Sequence, residues 1–370
     1  MKGYYLFAPD EPGNVGPESG VERKVRAQNR ALNEYLPCEL IILAPQTYKG
    51  TLAEKLIRRL PYTAAWRKWK YKGEFDDADF VYIRQVYHDQ AFLRYLKQIR
   101  KHNPEIKLIY EVPTYPFESG GKVTWSKYPF SLKRRKSIQK IFDQMDRIVT
   151  FYGQDTIKGI PCIDLINGFD FSRVQLPERT KPDEIHILSV AVVASWHGYD
   201  RVLSGLAKYY ARGGKEKIVY HYVGTPMPEH VSYAQEHGLG ERVIFHGRQS
   251  GDALKAIYQQ CMLGVDVLGG HRKNYPVSSS LKSREYCAYG IPMITSSPVD
   301  FLPKDSPFQL IVPYDDSPVD MEAVVQYYHS VYDGKDCNEV AKDIRDYAEA
   351  RCDMSITMKP VADWLLKEES

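Results

Sequence analysis

Six cysteines are scattered through 370 residues, and no two of them form a C-x-x-C pair. That excludes a disulfide-stapled scaffold, and the thiols read as reduced core residues of a cytosolic protein. No His, Cys and Asp cluster has the spacing of a structural zinc site, so no metal is expected. No stretch approaches the ~18 consecutive apolar residues of a membrane span. The opening residues Met1–Asp10 turn polar too soon for a signal peptide, so the expected location is cytoplasmic. No repeat recurs at a fixed short period, which excludes a solenoid. With 43% hydrophobic and 26% charged residues, disordered, collagen-like and fibrous chains are excluded as well.

What is present begins with charge. The sum is only +3, but residues 1–150 hold 27 Lys and Arg against 17 Asp and Glu. Residues 151–370 hold 23 against 30. A basic half beside an acidic half points to a negatively charged partner for the first.

Short β-type runs alternate with helical stretches throughout. Strands are expected at 3–8, 39–44, 80–84, 107–112 and 147–152, with helices at 21–35 and 91–101. Ser19-Gly20-Val21-Glu22 has the S-x-x-E form of a capping box. A polar, Pro-containing segment, residues 176–184, reads as a linker. Beyond it the alternation restarts, with strands at 185–193, 217–223, 242–246, 263–268 and 292–295. Helices are expected at 201–211, 252–260 and 281–289, and the tail at 321–366 is helical. Alternation of this kind implies parallel sheets covered on both faces. The expected plan is a Rossmann-like domain at 1–175, a second at 185–345, and a last helix at 346–370 crossing back to the first. Two such domains place a ligand cleft between the carboxyl ends of their sheets.

The most informative stretch is Ser278-Ser279-Ser280-Leu281-Lys282-Ser283-Arg284-Glu285-Tyr286-Cys287-Ala288-Tyr289-Gly290-Ile291-Pro292. Three serines before a helix, with a lysine in its first turn, suit a diphosphate: free backbone N–H groups and the helix dipole both favour an anion. Glu285 follows Lys282 by about one turn and suits a ribose diol. Plain helix capping with an exposed Lys–Glu pair explains the same pattern.

This run resembles the donor-nucleotide helix of GT-B glycosyltransferases, in the large retaining family that includes glycogen and sucrose-phosphate synthases. Other segments agree in order and spacing: Ile187–Leu203, Val223-Gly224, Val243–Gly247 and Ile166-Asn167-Gly168-Phe169-Asp170. Ser19–Val25 and Glu111–Pro116 are similar to bacterial polysaccharide-assembly members. The resemblance implies an α/β GT-B fold, two Rossmann-like doubly wound domains facing each other across a cleft. It implies a nucleotide-sugar donor and a glycan acceptor, possibly polyprenyl-diphosphate-linked, with retention and no metal or other cofactor. Two departures stand out. The first of the family's two glutamates corresponds to Val277, and its phosphate-binding Arg and Lys correspond to Val192 and His197.

On this resemblance the donor contacts are Gly20, His197, Gly198, Gly224, Ser278, Ser279, Ser280, Lys282 and Glu285. Gly20 is expected to let the backbone approach the donor because it lacks a Cβ. Lys282, Glu111 and Arg272 are the expected catalytic residues: Lys282 and Arg272 for leaving-group charge, Glu111 to orient or deprotonate an acceptor hydroxyl. Arg84, Glu111, Thr114 and Tyr115 are the expected acceptor side, although a buried structural carboxylate explains Glu111 equally. Asp76-Asp77-Ala78-Asp79 resembles the metal motif of the other glycosyltransferase fold, but it precedes its strand and reads as a solvated turn.

Two basic patches interleave aromatics: residues 51–72, with Arg58, Arg59, Trp66, Arg67, Lys68, Trp69 and Lys70, and residues 122–140, with Lys133, Arg134, Arg135 and Lys136. They suit an anionic membrane surface, which would make the protein peripheral on the inner face of the cell membrane. RNA would use similar residues, but with the glycosyltransferase resemblance a membrane is favoured and no nucleic-acid partner is expected. A nucleotide- or glycan-binding protein without activity, and a nucleotide-sugar epimerase, are the alternatives.

Overall fold

The apolar runs pair into two parallel sheets, one in each of two units. The computed structural model describes residues 1–9, 19–43, 51–57, 60, 69–84, 88–113, 115, 128–151 and 153–367. One unit comprises Met1–Leu165 with Met354–Ser370, the other Ile166–Asp353.

In the first unit the order is β1 (Gly3–Phe7), α1 (Gly20–Asn33), β2 (Cys38–Ile42), α2 (Leu52–Ile57), β3 (Phe80–Arg84), α3 (Gln90–His102), β4 (Lys107–Glu111), α4 (Tyr128–Phe142), β5 (Arg147–Thr150), β6 (Thr156–Ile157) and β7 (Ile160–Asp164). The sheet runs β2-β1-β3-β4-β5-β7-β6, parallel except for β6 against β7. Every residue of β1 and β3 is buried, the signature of strands covered on both faces. The capping box is real at its first half: Ser19 Oγ accepts from the Glu22 amide at 3.3 Å. α1 then buries Val25, Gln28, Ala31 and Leu32.

The second unit runs β8 (Ile185–Val190), α5 (Tyr199–Ala211), β9 (Ile218–Val223), α6 (Pro228–Glu236), β10 (Val243–Gly247), α7 (Gly251–Gln260), β11 (Leu263–Val265), α8 (Leu281–Ala288), β12 (Met293–Thr295), β13 (Gln309–Ile311), α9 (Met321–Tyr332) and α10 (Cys337–Cys352). Its sheet is wholly parallel, in the order β10-β9-β8-β11-β12-β13. The strand order therefore reverses between β8 and β11, and in open α/β sheets ligands bind outside the carboxyl ends at such a point. The last helix, α11 (Met354–Lys367), belongs to the first unit, where its Met358, Val361 and Leu365 join the core with Val25 and Leu32 of α1.

The expected linker at 176–184 is part of the second unit, and the chain changes units at Leu165–Ile166 and again at Asp353–Met354. The reason is Arg179. Only 3% exposed, it donates to the carbonyls of Cys261 at 2.7 Å and Tyr289 at 2.6 Å. A polar composition concealed a buried staple. The six cysteines are unpaired, and burial pushes Cys352 up to about 12. Among the described residues no helix is long and apolar enough to cross a membrane. None of the His, Cys, Asp and Glu among them group to hold a metal ion.

Candidate functional site

At the switch point of the second unit, three pieces of chain meet: the loop from β8 to α5, the end of β11, and the start of α8. Ser280 caps α8, its Oγ accepting from the Ser283 amide at 3.2 Å. The next amides, of Leu281 and Lys282, lie in the first turn of the helix and have no acceptor inside it.

Lys282 lies over this helix start with its side chain 14% exposed. Its Nζ donates to Tyr199 Oη at 3.3 Å and to the Asp266 carbonyl at 3.1 Å, and it stands 3.9 Å from Asp266 Oδ1. Burial lowers the Lys282 pKa to about 8, against the opposing pull of Asp266.

His197 faces the same place. Its Nδ1 accepts from the Ala194 amide at 3.0 Å, so the neutral ring carries its proton on Nε2. Burial, then the charge of Lys282, push its pKa down to about 3, so the ring is neutral across the physiological range. The ring stacks on Tyr199 with centroids 5.4 Å apart.

Both expected loop glycines are obligatory. Gly198 has φ +68°, and a Cβ there would lie 2.5 Å from the Gly269 amide nitrogen. Gly224 has φ +129°, and a Cβ would lie 2.1 Å from the Ala191 carbonyl. These contacts press the loops at the strand ends together.

The remaining expected contacts are engaged differently. The hydroxyls of Ser278 and Ser280 both donate to Asp266, at 2.6 Å for Ser278, instead of standing open for phosphate. Ser279 accepts from Asn167 Nδ2 at its carbonyl and hydroxyl, 2.8 and 3.2 Å. Lys282 turns toward α5 and the end of β11, whereas half-buried Glu285 lies beside Tyr258 of α7, where its charge adds to burial in raising that phenol. Val277 and Val192 are 53% and 87% exposed, so neither position supplies a charge.

Arg272 is not a free cation. Its guanidinium makes a two-pronged pair with Asp200 at 2.9 and 2.7 Å, donates to Asp316 at 2.7 Å, and reaches the Ser195 carbonyl at 2.6 Å. With nearly all of its five N–H donors committed to protein groups, it ties three loops together. Two further arginines are likewise consumed. Arg201 holds the carbonyls of Leu268, Pro313 and Ser317. Arg284 holds Asp300 and the Asn167 carbonyl. Sequence reasoning missed Asp266, which lies beyond β11 and is wholly buried.

In the first unit, Arg84 and Glu111 end adjacent strands in register. Glu111 is wholly buried, pairs with Arg84, and accepts from Tyr82 Oη at 2.6 Å and Gln28 Nε2 at 2.9 Å. Burial pushes its pKa up, but Arg84, Lys24 and the two hydrogen bonds outweigh burial and hold it below the usual carboxylate range. Glu111 and Arg84 thus form a buried ion pair at the carboxyl ends of β4 and β3, the arrangement of a structural carboxylate. Gly20 is the first residue of α1, and among the described residues Arg23 Nη2 lies 3.9 Å from an added Cβ. Tyr115 is half-buried against the core.

Trp69 stacks on Phe92 and Tyr95, with centroids 4.9 and 4.8 Å away. Lys70, Arg135 and Lys136 are exposed. Lys133 and Arg134 fall in α4, but their side chains, and Thr114, Arg58, Arg59, Trp66, Arg67 and Lys68 altogether, lie outside the described residues. Asp77 pairs with Lys2 at 2.6 Å and Asp76 accepts from Tyr71 at 2.6 Å, at the amino end of β3.

No family model and no curated protein sequence matches the chain. Solved structures do match over its whole length. A glycosyltransferase from Rickettsia africae superposes with a TM-score of 0.62 at 11% identity, covering 99% of both chains. Sucrose-phosphate synthase from Thermosynechococcus elongatus gives 0.60 at 15%, covering all of both. Anabaena HepE, solved in complex with UDP, gives 0.58 at 11%, covering 99% of this chain and all of its own. Identities this low establish architecture and nothing finer: the chain has the two-domain, Rossmann-like GT-B fold.

Proposed function

We propose that the protein is a glycosyltransferase that moves a sugar from a nucleoside-diphosphate donor to a glycan acceptor. The observation that carries this reading is the start of α8 at the switch point of the second sheet. There, amides without helical acceptors, a buried lysine and a neutral His197 with Nε2–H converge, while the nearby arginines are consumed by protein groups. HepE, of the same fold, is solved in complex with UDP and with UDP-glucose.

In the proposed reaction the bond from the anomeric carbon to the diphosphate oxygen breaks, and negative charge develops on the leaving group. Pre-oriented N–H dipoles and the Lys282 ammonium stabilise it, and His197 donates from Nε2. The acceptor oxygen bonds to the anomeric carbon on the same face as the departing group, and its proton passes to a donor phosphate oxygen. Configuration is retained, and neither a protein nucleophile nor a metal is invoked. Exposed Leu52, Leu56 and Leu60, and exposed Lys70, in the basic half support a peripheral membrane position and a lipid-linked acceptor in surface-polysaccharide assembly.

Calorimetry with UDP, GDP and dTDP tests the donor site. At least one should bind, and Lys282→Ala should weaken it by at least tenfold. Because the diphosphate favours charged lysine, affinity should fall as pH rises through about 8. The absence of any nucleotide binding overturns the reading. Binding without donor hydrolysis or transfer would instead favour a non-catalytic protein, the outcome that Val277 would explain.

A further inference from the structure

Asp266 contacts three residues at the start of α8: Ser278, Ser280 and Lys282. It is wholly buried beyond the end of β11 and accepts the hydroxyls of Ser278 and Ser280. Ser280 in turn accepts the Ser283 amide, so the carboxylate is linked through one hydroxyl to the helix cap. Lys282 is tied to the same residue twice, by the hydrogen bond to its carbonyl and by the 3.9 Å approach to its carboxylate.

We propose that Asp266 is a positioning residue of the donor site: its carboxylate holds the Ser278–Ser280 turn from behind and acts as counterion to the Lys282 ammonium, keeping that lysine charged and aimed for an incoming diphosphate. The proposal rests on the donor reading above.

Two considerations support it. A buried carboxylate without a cation is expensive, and the arginines of this region are bound elsewhere: Arg201 to loop carbonyls, Arg272 to Asp200 and Asp316, Arg284 to Asp300. Lysine also has three N–H donors. Two of those on Lys282 go to Tyr199 and the Asp266 carbonyl, and among the described residues the third has no acceptor within hydrogen-bonding distance. That third donor is the one left for a phosphate oxygen.

The titratable and charged groups around the lysine are Asp266 beyond β11, Tyr199 on α5, His197 before it, Lys273 in the loop after β11, and Glu285 and Tyr286 on α8 itself. His197 is neutral, and burial holds Tyr199 and Tyr286 protonated. Of these groups, Asp266 is the negative charge that opposes deprotonation by burial.

The test is direct titration of Lys282 in the full chain, labelled with 13Cε-lysine, by NMR. The resonance is assigned by its loss in Lys282→Arg. The wild-type midpoint should fall near 8. Asp266→Asn keeps the size but removes the charge, and an opposite charge within ~4–6 Å shifts a pKa by about one to three units. The midpoint should drop by that amount. A folded Asp266→Asn protein with an unmoved midpoint overturns the proposal.

If Asp266→Asn does not fold, the double variant with Lys282→Met removes both charges and should regain a cooperative melt. No recovery overturns the proposal equally. Neither measurement needs a nucleotide, so each stands apart from the donor reading. With UDP or GDP added, the high-pH loss of affinity should move down together with the lysine midpoint. Wild-type protein that binds no nucleotide would remove the donor reading while leaving the ion pair measured.

Discussion

Glu111→Gln separates a catalytic carboxylate from a structural one. The substitution is nearly isosteric but leaves the Arg84 guanidinium, 6% exposed, without its counterion. It also places an amide NH2 group where the carboxylate accepted from Tyr82 and Gln28. Breaking a buried ion pair by removing one partner costs about 3–5 kcal/mol. For a domain of this size, each kcal/mol moves Tm by roughly 2–4 °C, so calorimetry should show the first unit melting roughly 6–20 °C lower. The pH dependence has a definite sign. Glu111 ionises below the usual carboxylate range in the folded chain, so its stabilisation is fully present above the unfolded value of about 4.3 and is lost as pH falls through the folded one. The gap between wild type and variant should therefore be constant near neutrality and close in acid. Nucleotide affinity, which the proposed function assigns to the other unit, should be unchanged. A variant that melts with wild type and loses turnover together with the acidic limb of the pH–rate profile would refute the structural assignment.

Two further substitutions probe the donor unit. Gly198→Ala forces a Cβ against the Gly269 backbone at a φ of +68°. It should destabilise the second unit by about 1–3 kcal/mol in thermal melts and weaken nucleotide binding by displacing His197; unchanged melting would show that the loop is free to relax. Arg272→Ala should cost only about 1 kcal/mol, because Asp200 and Asp316 are 45% and 69% exposed. It should raise the donor KM more than it lowers kcat, and Arg272→Lys should fail to restore the two-pronged pair. Loss of kcat with donor affinity intact would instead make Arg272 a catalytic residue.

Much of the fold was legible because its strands are short apolar runs between polar loops. Phe80–Arg84 and the capped helix after Ser19 stand where the pattern puts them. α4 was hidden because its lysines and arginines read as a surface patch, and α6 because it buries only His230 and Ala234 and so leaves no apolar period to read. In the site, the lysine and the histidine were visible as residue types in a recognisable order. Their surroundings were not. Arg272 meets partners 72 and 44 positions away, and Ser278 and Ser280 turn to an aspartate behind them. Periodicity reports which face of an element is buried, not which charges meet after folding.

The return of α11 to the first unit sets an order of events during synthesis. The face of α1 that includes Val25 and Leu32 is covered by Met358, Val361 and Leu365, which leave the ribosome only after the whole of Ile166–Asp353. At ~5–20 residues per second the delay is on the order of 10–40 s. The second unit is contiguous and can assemble as it emerges, while the first waits with an apolar stripe uncovered. The unit made first is thus finished last, and for those seconds it is the part of the nascent chain most exposed to chaperones or aggregation.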